Sequence, residues 1–259
     1  MFVLKGQGIA TLYGEFAGLR QSGDIDVWVN SSRKKLYEFS KKELVKITGL
    51  TYHHIHFELY EDVEVEAHTW PSFFTNPIHN RLFQIFCLQN TPEDGCGDYA
   101  SLAFNRVFIL QHCSGHFCGH GVGFRQLLDY YFVLKQGVTE KKEKHESMVW
   151  INKLGIARFA AALMWVCVRV FGMDRKMCIC DPNEEDGRFL LAEVLMTAIW
   201  DTRMNVWITR NCKALGRYLH NIKRDWQIMR NAPSFALWEL VWGIYQYTWV
   251  KITNYRYNR

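Results

Sequence analysis

Asp24 and Asp26 stand two apart in the run Arg20-Gln21-Ser22-Gly23-Asp24-Ile25-Asp26-Val27-Trp28-Val29. In a β-strand side chains alternate faces, so both carboxylates would project from one face and Ile25, Val27 and Val29 from the other. Two carboxylates held a few ångströms apart repel each other, and a divalent cation between them relieves the repulsion. Hard oxygen ligands of this kind suit Mg2+ or Mn2+ bound to a phosphate-bearing substrate. Surface strands and turns also produce Asp-x-Asp, so the pair needs support from its surroundings.

Two further strands bear on it. Ile55, Phe57 and Leu59 alternate with His54, His56 and Glu58; Val63, Val65 and Ala67 alternate with Glu64, Glu66 and His68. Matching apolar to apolar puts Tyr60, Glu61 and Asp62 in the turn of an antiparallel hairpin. In that register His54 faces His68, His56 faces Glu66 and Glu58 faces Glu64. One face is apolar, and the other holds three imidazoles and three carboxylates. A hairpin with one solvated face is a common arrangement. Two glutamates directly opposite each other are nevertheless unfavourable, and the Asp pair needs a third ligand. The polar face therefore reads either as a wet surface or as part of a site.

The elements that would position these residues fall into two textures. In the first, Phe2 to Leu4 read as a short strand, Gly6-Gln7-Gly8 as a turn, and Ile9 to Tyr13 as a short helix leading by a loop to the strand at 24–29. Asn30, Ser31 and Ser32 offer N-caps for a charged helix over Arg33 to Ile47. From Asn76 onward the pattern is helical, over about 77–88, 98–119, 122–136, 147–171, 187–200, 206–230 and 234–252. The charged stretch Gly137 to Glu146 reads as a solvated connection and Cys178 to Gly187 as an inter-helix loop. The expectation is an α+β protein: a small mixed β-sheet core flanked by helices over residues 1–75, then a mainly helical domain over 76–259.

Composition narrows the partners. The 259 residues carry 31 Lys+Arg against 26 Asp+Glu, a formal charge of +5. That suits a polyanionic small ligand and falls short of a dedicated nucleic-acid binder, for which no basic stripe is present. Eight cysteines at irregular positions read as reduced thiols. Lys5 interrupts the opening before an apolar signal core forms. The longest apolar run, Phe159 to Val168, is too short to span a bilayer. Together these point to a cytoplasmic protein with no membrane span.

Lys5-Gly6, the Arg20-x-Ser22-Gly23-Asp24-Ile25-Asp26 run, Glu66-Ala67-His68, and His116 followed by Gly121-Val122-Gly123-Phe124-Arg125-Gln126-Leu127-Leu128-Asp129 occur in that order. In this the chain resembles the DNA polymerase-β-like nucleotidyltransferase superfamily, and within it the bacterial family described only as uncharacterised nucleotidyltransferases. The resemblance implies a helical domain closing one side of a nucleotide cleft. It also implies transfer of a nucleoside monophosphate from a nucleoside triphosphate to a hydroxyl acceptor (protein, RNA or small molecule), with Mg2+ or Mn2+ as cofactor. It places the metal triad at Asp24, Asp26 and Glu66, with Glu64 as the alternative third ligand. Nucleotide contacts fall to Lys5, Gly6, Gly8, Arg20, Ser22, Gly23 and Arg125, since glycines allow close approach of phosphate and guanidinium groups bind it. His56, His68, His116 and Asp129 would stand behind them. Arg125 and Asp129, four apart, could equally pair on one helix face.

The chain departs from the superfamily at the glycine turn. Gly8 is followed by Ile9 rather than serine, and fifteen residues separate Gly8 from Asp24. The family's helix ahead of the Lys-Gly strand is also missing, so a truncated start or a different cover for the sheet is expected. These departures support an alternative, a non-catalytic nucleotide-binding or protein-interaction module on the same fold. Two other clusters read as structural. His112, Cys113, His116, Cys118 and His120 contain a helical His pair at i, i+4, but no Cys-x-x-Cys completes a familiar zinc site. Trp238, Trp242, Tyr245 and Trp249 form a core or interface stripe on a C-terminal helix.

Overall fold

Five strands form one mixed sheet in the order β1-β2-β5-β4-β3 in the computed structural model. The structure describes residues 1–43, 45–51, 53–60, 63–90, 99–118, 121–136, 141–196 and four helical positions, Trp238, Val241, Trp242 and Tyr245. β1 (Phe2–Val3) runs antiparallel to β2 (Ile25–Trp28), and β2 runs parallel to β5 (Val63–His68). β5 is antiparallel to β4 (His54–Tyr60), which is antiparallel to β3 (Lys46–Leu50). An α+β architecture with helices dominating the later part is the observed fold class.

The hairpin has the register that its alternation predicts: His54 opposite His68, His56 opposite Glu66, Glu58 opposite Glu64. The turn is shorter than expected. Tyr60 belongs to β4 and pairs with Val63 across a register shift after Glu58, while Glu61 and Asp62 lie outside the described residues. The repulsion between Glu58 and Glu64 is relieved from β3. Lys46 Nζ lies 2.6 Å from Glu58 Oε2, and Thr48 Oγ1 donates to Glu64 Oε1 at 2.9 Å.

β3 itself replaces the end of an expected helix. α2 spans Arg33–Lys42, capped by Ser32, whose hydroxyl accepts from the Lys35 N–H at 3.3 Å. Val45, Ile47 and Leu50 then pack with Leu36, Ile55, Phe57 and Ala67 under the apolar face of the sheet. Pairing with β4 outweighs the local helical pattern there. At the chain start, α1 (Gln7–Ala10) continues as 3-10 turns over Thr11–Leu19, broken at Gly14.

The helical part contains α3 (Pro77–Gln89), α4 (Leu102–Cys118), α5 (Phe124–Lys135), α6 (Lys141–Lys153) and α7 (Ala157–Arg169). Two expectations need correction. Lys141 to Glu146 form the first turns of α6, not a connection, and the helix expected over 147–171 is split where Gly155 adopts φ 70°. Residues 184–196 are helical; the expected 206–230 segment, and all of 234–252 except the four positions above, lie outside the described residues. Cys87, Cys113, Cys118, Cys167, Cys178 and Cys180 are thiols that form no disulfide among the described residues. Among the described residues no helix is long and apolar enough to cross a membrane.

The second face of the sheet packs on the helices. Phe2, Leu4, Ile9, Tyr13 and Trp28 share one buried cluster with residues of α3 to α7. Phe2 meets Trp28 edge-on at 5.1 Å, and Trp28 stacks on Phe104 at 6.2 Å. Burying each such ring stabilises the fold by roughly 1.5–3 kcal/mol. From Phe104 a ladder at i, i+4 spacing runs along α4: Phe104 on Phe108 at 5.0 Å, Phe108 on His112 at 6.3 Å, His112 on His116 at 4.4 Å. Asp26, two residues before Trp28, projects from the same face toward this helix.

Candidate active site

Asp26 sits in β2 with 4% of its surface exposed. His68 Nε2 donates to its Oδ1 at 2.8 Å, and Lys5 Nζ reaches the same oxygen at 3.0 Å. Burial alone would raise the carboxyl pKa. The His68 hydrogen bond and the Lys5 charge outweigh it and hold the group well below the usual carboxylate range. Asp26 is therefore a buried anion at neutral pH.

Glu66 is the register partner of Asp26 on β5 and is itself buried. Its Oε2 lies 3.2 Å from His68 Nε2, and its Oε1 lies 3.7 Å from both His54 Nε2 and His56 Nδ1. Asp26, Glu66 and His68 thus bring three potential ligand atoms within 4.8 Å of one another. Parallel pairing of β2 and β5 produces this convergence, because it sets the two carboxylates side by side across one strand spacing.

Asp24 is placed differently. β2 begins at Ile25, and Asp24 forms an exposed bend beside Gly6, outside every cluster of three ligand atoms among the described residues. The expected triad therefore assembles as Asp26 and Glu66 joined by His68, with Asp24 at the entrance to the strand. Glu64, the alternative third ligand, is turned to β4 and β3: His56 Nδ1 donates to its Oε1 at 3.0 Å, alongside Thr48.

The glycine turn shapes the Lys5 side of the site. Gly6 has φ 66°, a conformation L side chains rarely adopt, and a Cβ at Gly8 would stand 3.1 Å from the Val3 carbonyl oxygen. Lys5 is one-quarter exposed, so its ammonium faces both Asp26 and solvent.

Arg20 and Asp129 form a two-point ion pair, Nε to Oδ1 at 2.8 Å and Nη2 to Oδ2 at 2.7 Å, with 6% of each side chain exposed. Tyr13 Oη donates to the same Asp129 oxygen at 2.7 Å, and burial together with the Asp129 charge pushes its pKa up. The remaining Arg20 nitrogen, Nη1, donates to Ser22 Oγ at 3.0 Å and the Gln21 carbonyl at 3.3 Å. The Arg20 guanidinium, expected at the phosphates, clamps the 20–24 loop to α5 in this structure. The Arg125–Asp129 pair is likewise replaced. Arg125 Nη1 donates instead to the Gln21 carbonyl at 3.4 Å, and the exposed Ser22 and Gly23 follow in the loop.

Imidazoles wall the other side. Burial, with the charges of neighbouring imidazoles and Lys5, lowers the His54 pKa to about 3. Burial also holds the His53 and His112 pKa well below the usual imidazole range, in each case with Lys5 contributing. These rings are neutral at pH 7. Phe73 lies 4.9 Å from His53 and 4.9 Å from Trp242, so Trp242 reaches this wall through Phe73. His53 and His112 were not among the residues expected at the site. The i, i+4 continuation of Phe104 and Phe108 into His112 and His116 is the signal that carried the second. The cysteines beside them do not join a metal cluster among the described residues: Cys113 is buried and its thiol donates to the Gln126 carbonyl at 3.3 Å, Cys118 is buried, and His120 lies outside those residues.

Residues 1–172 match the model of a protein family described as "Uncharacterised nucleotidyltransferase", a span that includes β1 to β5 and α1 to α7. No curated protein and no solved structure matches the chain.

Proposed function

We propose that this chain, which belongs to the nucleotidyltransferase family matched by residues 1–172, moves a nucleoside monophosphate from a nucleoside triphosphate to a hydroxyl acceptor and releases pyrophosphate. The observation that carries the reading is the pairing of two buried carboxylates, Asp26 and Glu66, on adjacent parallel strands. Their oxygens, with His68 Nε2 within 4.8 Å, form a donor set that a divalent cation satisfies. Asp26 and Glu66 would hold Mg2+ or Mn2+, with Asp24 joining from the strand entrance. Such an ion, when bound, neutralises triphosphate charge and polarises the phosphoryl oxygens.

The chain's own groups then have distinct tasks. Asp26 stays ionised at neutral pH, so no proton competes for its oxygens. Glu66 takes the proton of the attacking hydroxyl at the carboxylate. Lys5, partly exposed, passes from Asp26 Oδ1 to a phosphate oxygen. Gly6, Gly8, Ser22, Gly23 and Arg125 border the phosphates. Arg20 and Asp129 hold the loop that delivers Asp24. The acceptor hydroxyl belongs to a protein, an RNA or a small molecule, admitted from the helical part.

The test is label transfer. Full-length protein is incubated with each labelled nucleoside triphosphate, Mg2+ and a cell extract, beside the Asp26→Asn variant. Magnesium-dependent labelling lost in the variant supports the proposal; equal labelling by both proteins overturns it. A second reading, nucleotide binding without turnover, is favoured by one observation: Lys5 Nζ already occupies Asp26 Oδ1 at 3.0 Å. It predicts saturable triphosphate binding with no labelled product.

A further inference from the structure

We propose that His54, His56 and Glu66 form a second metal site, for a borderline transition ion of the Zn2+ class, on β4 and β5 beside the Asp26 carboxylate. This site goes beyond the nucleotidyl-transfer reading and shares only Glu66 with it. His54 and His56, two apart on β4, project from one face, and the register sets Glu66 directly opposite His56. His54 Nε2 and His56 Nε2 face each other at 2.9 Å, and Glu66 Oε1 stands 3.7 Å from His54 Nε2. One ligand atom from each lies within 4.8 Å of the others. Nitrogens so close can both reach an ion at the usual Zn–N distance of about 2.0–2.1 Å.

The surroundings orient the rings as ligands. His56 Nδ1 contacts Glu64 Oε1 at 3.0 Å, and Thr48 Oγ1 donates to the same oxygen at 2.9 Å. His54 Nδ1 contacts His53 Nε2 at 3.2 Å. With hydrogens on both Nδ1 atoms, both Nε2 atoms carry the lone pairs that a metal ion requires. A carboxylate behind a ring nitrogen is the usual support of a metal-bound histidine. Gly49 makes room for it: a Cβ there would stand 2.9 Å from His56 Cδ2, so only the bare backbone lets the imidazole lie across β3. The side chains of His54 and Glu66 are each 11% exposed and that of His56 is 20% exposed, which gives the ion a way in.

Two imidazoles and one carboxylate favour Zn2+ or Co2+, whereas the carboxylates around Asp26 favour Mg2+ or Mn2+. The full chain is stripped with chelator and titrated with Co2+, read by visible absorption, and the Co2+ is then displaced with Zn2+. One equivalent with ligand-field bands is expected, weakened at least about 100-fold by His54→Gln and by His56→Gln. Glu64→Gln should weaken it about 10–100-fold. Asp26→Asn and His112→Gln should leave it unchanged, circular dichroism showing each variant folded. Uptake that survives both His54→Gln and His56→Gln overturns the proposal, as does the absence of any stoichiometric uptake. Loss in Asp26→Asn alone also overturns it and assigns the ion to the Asp26 cluster, leaving nucleotidyl transfer standing.

Discussion

Lys5 and His68 compete for one oxygen: Asp26 Oδ1 is 3.0 Å from the ammonium and 2.8 Å from the imidazole Nε2. An arriving phosphate or cation would redistribute this shared charge. Lys5→Met should therefore raise the KM for the triphosphate at least about tenfold, an effect of about 1.4 kcal/mol, while kcat changes less. Steady-state kinetics across triphosphate concentration distinguishes this from a purely structural role for Lys5, which would lower stability and leave KM unmoved.

Asp26→Asn keeps the side chain's size and its ability to accept from His68, yet removes the charge. The expected result is at least about 100-fold loss of turnover, the scale seen when one group aimed at developing charge is removed, with the fold retained. Glu66→Gln should behave alike. Turnover assays paired with circular dichroism check both.

The Arg20–Asp129 pair is nearly sealed from solvent. Deleting one partner strands a buried charge, so Asp129→Ala or Arg20→Ala should cost about 3–5 kcal/mol of stability. The double variant should cost less than the sum of the two. Urea unfolding of the four proteins closes the cycle and measures the coupling.

The imidazole wall makes stability depend on pH. His54 titrates near 6.5 when unfolded and near 3 when folded. Between those values the unfolded chain binds more protons, so stability is complete above about pH 6.5 and falls as the pH is lowered toward 3. Asp26, its folded pKa also depressed, adds to the loss below the ordinary carboxylate range. Denaturant midpoints at a series of pH values should show the decline, and His54→Gln should flatten its upper part.

Reading the sequence succeeded where periodicity decides. The hairpin register followed from alternation, because a one-residue slip would have turned Ile55, Phe57 and Ala67 to water. Alternation likewise sets Asp26 and Glu66 on the polar faces of their strands, while the preference for Glu66 over Glu64 rests on the family resemblance. Elsewhere local pattern misled. Lys46–Leu50 continues the apolar spacing of α2, and only pairing with β4 makes it a strand. Lys141 to Glu146 is charged enough to pass for a loop, yet Ser147 and Ile151 in the following turns are buried and hold the helix down. Arg20 and Asp129 are 109 residues apart, and no local rule joins them.

That separation bears on how the strand bearing Asp26 could be borrowed. A chimaera carrying only residues 1–75 would inherit Arg20 without Asp129, and Trp28 without Phe104 to lean on. The loop feeding Asp24 and Asp26 would lose its anchor, and one side of the sheet would be left greasy. The smallest transplantable unit therefore reaches through α5, and a shorter graft should bring aggregation rather than activity.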